Sequence, residues 1–201
     1  VLNYLLLLGW APEGEQEIFS LDEMIKIWDP SRISKSPAIF DPLKLRAINA
    51  AYIRALPAEE FRRLADPFID SAVHCDIDRD LLCANLQPRC EVLEDIPPQL
   101  DFFDAVLPID AEMYRNKKQK TTPESAKEAL GALLPVLEAQ TDWSRDAIFE
   151  ACKQKAEAME KKNGWLLFPL GIALSGKART PGGGTDLAAM MGREETLKRV
   201  K

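Results

Sequence analysis

Residues 18–54, IFSLDEMIKIWDPSRISKSPAIFDPLKLRAINAAYIR, hold two helix starts separated by a proline-broken linker. Ser20 followed by Glu23 is a capping box: the hydroxyl accepts the amide three residues on, and the carboxylate returns to the cap amide. A short helix over 21–28 is predicted. Asp41-Pro42 is the second start, with Asp41 as N-cap and Pro42 at the first helical position, where its missing N–H costs nothing. That helix should run to about Leu56. The linker between them, Asp29 to Phe40, is stopped by Pro30 and Pro37 and presents Arg32, Lys35 and Ser36, groups that suit a phosphate backbone; Arg54 joins them as a backbone candidate. No strand-like alternation is sustained anywhere in the chain. The fold class is therefore all-α, in irregular helical bundles.

The chain of 201 residues can bury a sizeable core, as one domain or as two or three small helical units. A hydrophobic content of 46% with 29% charged residues describes a soluble globular protein. Val1 to Trp10 is apolar but too short to span a bilayer and lacks a signal-peptide pattern, so it reads as the end of a truncated core helix. The net charge of −6 is unevenly spread. Residues 1–149 carry 16 Lys and Arg against 26 Asp and Glu, giving −10, whereas residues 150–201 carry 10 against 6, giving +4. The basic C-terminal third weakens the objection that an acidic protein should avoid nucleic acid. A second basic run, Arg115 to Lys120, reads from its own composition as a solvated linker.

Further helices follow from local signals. Pro57 to Phe68 has acidic residues at its positive end and an apolar face of Phe61, Leu64, Ala65 and Phe68, with Pro67 ending or kinking it. Ile77 to Leu93 is helical apart from a break at Pro88, and the neighbouring Arg89 should be held there. Ile96 to Met113 is a packed connector broken by Pro97, Pro98 and Pro108. Thr122 and Ser144 cap two helices, the second ending at Asn163-Gly164 with Gly164 at positive φ. Trp165 to Ser175 is a buried helix stopped by Gly176. A basic, glycine-rich turn, Gly176 to Gly184, then leads into a last helix; Lys177 and Arg179 supply charge, and the glycines allow close backbone approach. Cys75, Cys83, Cys90 and Cys152 show no C-x2-4-C pairing, so a zinc site is not expected and core thiols are. With one histidine, no Ser/His, paired-carboxylate or metal constellation stands out as catalytic. Arg89 offers a planar fork able to read a base edge, although a solvated pair with Glu91 is the plain alternative.

Leu2-Asn3-Tyr4-Leu5 with Gly9-Trp10, the IFSL and SKSPAIFD segments, Tyr52-Ile53-Arg54, and the terminal ALSGK…TP…GREETLKR resemble bacterial glutamyl-tRNA synthetase downstream of its catalytic domain, over nearly all of the chain. The resemblance implies a stem-contact remnant at 1–56 and helical anticodon-binding units at 57–118 and 119–201. It implies that Arg89, in its R-x-x-x-L context, accepts the third base of a glutamate anticodon and rejects that of glutamine, and that Thr180-Pro181 touches anticodon bases. It implies a parent enzyme that uses ATP and magnesium to esterify glutamate to its tRNA. The family's H-I-G-H-type signature and lysine loop lie upstream, so no catalytic residue and no cofactor are expected in this span. Arg32 to Ser36, RISKS, falls on the wrong side of LNYL…GW to be that loop. Gly171 stands where the family commonly has arginine and Gly183 where it has a bulky apolar residue. The partner implied is glutamate-specific tRNA, with no DNA and no membrane, for a cytoplasmic monomer. Two other readings stay open: a region that also accepts glutamine tRNA, and a helical protein-interaction module with merely solvated basic loops.

Overall fold

The computed structural model describes residues 1–201, and it is helical throughout, with two isolated antiparallel bridges and no sheet. The helices are α1 (Leu2–Gly9), α2 (Leu21–Ile27), α3 (Pro42–Ala55), α4 (Ala58–Asp70), α5 (Arg79–Leu86), α6 (Pro123–Ala139), α7 (Arg145–Ala158), α8 (Asn163–Ser175) and α9 (Gly184–Val200). Tight 3₁₀ turns occupy Gln87–Arg89 and much of the segment between α5 and α6. Both cap signals in the opening stretch act as read: Ser20 and Glu23 exchange reciprocal bonds, and the Asp41 carboxylate accepts the amides of Leu43 and Lys44.

The first fifty residues are knitted by polar side chains. Asn3 is almost wholly buried; its amide donates to the Glu17 carbonyl at 2.7 Å and its oxygen accepts the Phe19 amide at 2.7 Å. The Tyr52 hydroxyl reaches the same Asn3 oxygen at 2.8 Å, and the Tyr4 hydroxyl accepts the Asp41 amide at 2.6 Å. Such links satisfy irregular backbone that no helix can pair. From Ile53 to Val200 a single hydrophobic cluster continues through Phe61, Leu82, Phe102, Leu133, Leu166 and Leu187, so the expected second and third units share one core. Within the connector, Phe102 and Phe103 stack at 4.5 Å.

Three expectations are corrected. Helix α4 runs through Pro67 to Asp70 without ending there. Pro67 lies on the solvent face, where the carbonyl it frees can be hydrated, while buried Phe61, Ala65 and Ile69 hold the inner face. Helix α7 ends at Ala158, not at Asn163-Gly164, because Glu160 takes the left-handed conformation (φ 54°) and the Lys161 amide closes back on the Ala156 carbonyl. Asn163 and Gly164 instead begin α8. Finally, Cys83, Cys90 and Cys152 are buried but Cys75 is exposed, in a turn whose amides donate to Asp104.

Helix α8 stops where expected: Gly176 adopts φ 66°, and a Cβ there would also meet the Leu107 side chain at 2.9 Å. Helix α9 is broken at Gly192 (φ 76°), which lets its second half turn back so that Arg199 lies under the connector.

Candidate nucleic-acid interface

Arg89 is presented by the 3₁₀ turn that follows α5. Pro88 prevents the helix from continuing, and the Gln87 side-chain Nε2 fixes the turn by donating to the Ile53 and Leu56 carbonyls at 3.0 and 2.9 Å. The same bonds bring the end of α3, with exposed Arg54, beside this turn. Glu91 is not the partner of Arg89. Its carboxylate bonds Arg46 at 2.7 Å, and the Arg89 guanidinium instead faces the carbonyls of Thr180 and Pro181, each at 3.5 Å. These are contacts at the outer limit of a hydrogen bond. The guanidinium is exposed and faces no carboxylate.

The opposing turn is held from several sides. The Asp186 carboxylate accepts the Gly183 amide at 2.7 Å and Arg145 Nε at 3.0 Å. Thr180 Oγ1 donates to the Gly182 carbonyl at 2.6 Å. Gly184 crosses α8 so closely that a Cβ would lie 2.7 Å from the Leu167 carbonyl oxygen and 3.0 Å from the Gly171 nitrogen. Only glycine permits that approach. Lys177 is a strap: Nζ donates to the Pro98 carbonyl at 2.8 Å and pairs with Asp101, which ties the turn to the connector and balances the lysine's charge.

Between the two turns lies a cavity of about 610 Å³ whose walls include Arg89, Gln99, Phe168, Gly171, Arg179 and Thr180. It is open to solvent and combines uncompensated cations, an aromatic ring and backbone amides near glycine. Unpaired nucleobases are recognised with that combination, through edge hydrogen bonds, stacking and phosphate contacts. The structure thus brings Arg89, Lys177, Arg179 and Thr180 to one cavity. Pro181 is buried behind it, with its carbonyl turned to Arg89.

The linker candidates lie elsewhere. Arg32 pairs with Glu13 at 3.0 Å and stacks 5.5 Å from the centre of the Trp10 ring, whereas Lys35 and Ser36 are exposed. Gln99, Phe168, Asp186 and Arg145 were not singled out by sequence reasoning. Asp186 alone had a local signal, three residues after Gly183, the spacing of a cap.

Residues 45–201 match the family described as "Anticodon binding domain". The chain belongs to the anticodon-binding domain family. Over all 201 residues it is 44% identical to a glutamate–tRNA ligase of Clostridium botulinum, and over 202 aligned residues 43% identical to that of Clostridium acetobutylicum. It spans about 41% of the length of these relatives, in their C-terminal part. Among solved structures, a glutamate tRNA ligase from Elizabethkingia meningosepticum in complex with its amino acid superposes with a TM-score of 0.84 at 28% identity, covering 99% of this chain and 39% of that one. A glutamate-tRNA synthetase from Elizabethkingia anophelis gives 0.78 at 25% identity over the same shares. The cavity is built from two segments about ninety residues apart in sequence.

Proposed function

We propose that this chain is the tRNA-recognition part of a glutamate–tRNA ligase, and that it reads the anticodon of glutamate tRNA in the cavity between Arg89 and the 177–184 turn. The observation that carries this is the placement of an uncompensated arginine fork opposite Thr180 and Arg179, in a chain matching anticodon-binding domains. Arg89 supplies two donors to one base edge, and the Thr180 hydroxyl, whose hydrogen goes to the Gly182 carbonyl, offers an acceptor. The whole ligase would attach glutamate to tRNA with ATP and magnesium, acting as a cytoplasmic monomer. The work of this part is differential binding: positioning one tRNA and excluding others.

The test is fluorescence anisotropy with labelled anticodon stem-loops of glutamate and glutamine tRNAs at two salt concentrations. A preference for the glutamate loop by about 1–3 kcal/mol, lost in Arg89→Ala, is expected. Equal binding of both loops by the unaltered protein would refute discrimination at this cavity and favour a region of relaxed specificity.

A separate observation favours a protein contact at the other end. Leu2, Leu5, Leu21 and Trp28 are 59, 54, 55 and 47% exposed around an apolar groove of about 430 Å³, and the relatives carry more than half their length outside the matched span. That face fits the rest of the ligase. Leu5→Glu with Trp28→Glu should weaken association with the separately produced remainder and leave stem-loop binding unchanged; unchanged association would count against it.

A further inference from the structure

The basic run at 115–120 is not a loose linker. Asn116 and Thr121 pair as an antiparallel bridge, each amide donating to the other's carbonyl at 3.1 Å, and the Gln119 amide donates to the Asn116 side chain at 3.1 Å. Thr121 is buried, and its hydroxyl donates to the Tyr114 carbonyl at 2.7 Å. Lys120 is held at φ 56°, a conformation that disfavours a side chain of this type. The result is a rigid turn that carries Lys117, Lys118 and Lys120 outward, all exposed.

This turn rests on the beginning of α8. The Gln119 side chain occupies the space beside Gly164, with Oε1 only 1.8 Å from where a Cβ would stand. Lys161 and Lys162, both exposed, immediately precede α8 at that corner, and Lys161 lies 5.1 Å from the centre of the Trp165 ring. None of the five ammonium groups has a carboxylate within ion-pair distance. Of the neighbouring acids, Glu112 is taken by Arg115 at 2.7 Å, while Glu124 and Glu160 remain.

Position relative to the cavity follows from helix geometry. Gly164, Phe168 and Gly171 fall on one face of α8 at spacings of four and three residues, and the last two line the cavity. Seven residues at about 1.5 Å each place the lysine corner about 10 Å from Gly171 along the axis. That is a span of a few nucleotides along an RNA strand.

We propose that Lys117, Lys118, Lys120, Lys161 and Lys162 form a preorganised cationic ridge that binds the sugar–phosphate backbone of the RNA whose unpaired bases enter the Arg89 cavity. The inference rests on the anticodon-reading role proposed above. Its chemistry differs: ammonium groups aimed at phosphates add affinity and orientation, and carry no base preference.

The experiment uses the whole chain and the labelled glutamate and glutamine stem-loops over a salt series. One variant combines Lys117→Gln, Lys118→Gln and Lys120→Asn, the asparagine tolerating the left-handed position; the second combines Lys161→Gln with Lys162→Gln. Urea midpoints establish that both fold. The log–log salt slope should fall by about 0.7–0.9 per phosphate-contacting lysine removed, about 2.1–2.7 for the first variant, with the preference between loops unchanged. An unchanged slope in both folded variants, with the unaltered protein still binding, would overturn the ridge and leave the cavity reading standing. No binding by the unaltered protein at low salt would overturn both.

Discussion

Arg199 offers the sharpest test of how the interface is held. It lies near the chain end in GREETLKR, where an i,i+4 pair with Glu195 on a helix surface would be worth only a few tenths of a kcal/mol. The side chain has 0% exposure. Nε donates to Glu195 at 2.7 Å, one terminal nitrogen to the carbonyls of Phe102 and Leu174 at 2.7 Å each, and the other to Phe103 at 2.8 Å. One guanidinium therefore caps the end of α8, whose last carbonyls lack helical partners, and fastens the connector beneath it.

Replacing Arg199 by methionine keeps the packed stem and deletes all four bonds. Three buried carbonyls lose a donor, each at about 1–3 kcal/mol, while Glu195, 32% exposed and still paired with Lys198, loses a partner at about 0–1 kcal/mol. These overlap, so a loss of about 3–5 kcal/mol in total is expected, against about 5–15 kcal/mol for a whole domain. For a chain of this size the melting temperature should fall by about 6–20 °C, taking 2–4 °C per kcal/mol. Arg199→Lys keeps the charge but cannot fork to three carbonyls, so it should lose at least half as much. Urea unfolding followed by far-ultraviolet circular dichroism measures both. A methionine variant within about 0.5 kcal/mol of the original, the range of ordinary surface changes, would refute the latch.

Gly171→Arg should fold, since a Cβ there comes no closer than 3.7 Å to other atoms, and should gain up to about 1 kcal/mol of helix propensity. It adds a cation to the cavity, so stem-loop anisotropy should show tighter binding and a steeper salt slope; unchanged affinity would mean that RNA does not enter there. Thiol titration with a chromogenic disulfide at pH 8 should find one reactive cysteine, Cys75, in the native protein and four in denaturant. Burial pushes the thiols of Cys83 and Cys90 up to about 11 and that of Cys152 up to about 12, and a second native reactive thiol would contradict it. Acid should destabilise the fold in part through two of its hydrogen-bonded carboxylates. The His74 ring and amide, with the Cys75 amide, hold Asp104 well below the usual range, and at Glu195 bonds from Arg199 and Lys198 outweigh a larger single opposing effect of burial. Both folded values are depressed, so this stability is present above the unfolded values of about 4 and is lost as pH falls through the folded ones. Asp104→Asn should flatten the urea midpoint between pH 5 and about 2, and an equally steep decline would place the acid sensitivity elsewhere.

Helix starts were legible because capping is local: Ser20 with Glu23, Asp41, Thr122 and Ser144 each use a side chain within three residues of the amide it satisfies. Helix ends were less so. Whether Pro67 breaks α4 depends on which face meets solvent, and the left-handed residue after α7 is Glu160, where glycine at 164 looked the better candidate. Resemblance to a family singled out Arg89 and Thr180, which line one cavity, but nothing near Lys177 in sequence foretells Asp101, and Arg199 looks like a surface charge until Gly192 turns the helix back.

Those long-range bonds decide what the cavity can do. Lys177, Asp186 and Arg199 fix the turn and the connector with bonds of 2.7–3.0 Å, while Arg89 touches the turn's carbonyls only at 3.5 Å. The turn and connector are thus firmly held, and the Arg89 guanidinium is weakly engaged. A base edge presenting two acceptors replaces two marginal contacts with two charge-assisted ones and requires little rearrangement of the backbone, which is how preorganisation raises affinity for a matching ligand. On the proposed reading, a base that presents a donor to Arg89 would leave the guanidinium desolvated and unpaired, and discrimination would arise from that penalty as much as from the favourable pair. Loosening the scaffold by Arg199→Lys should therefore weaken binding of the glutamate loop more than that of the glutamine loop, because only the matched base depends on where the fork is held.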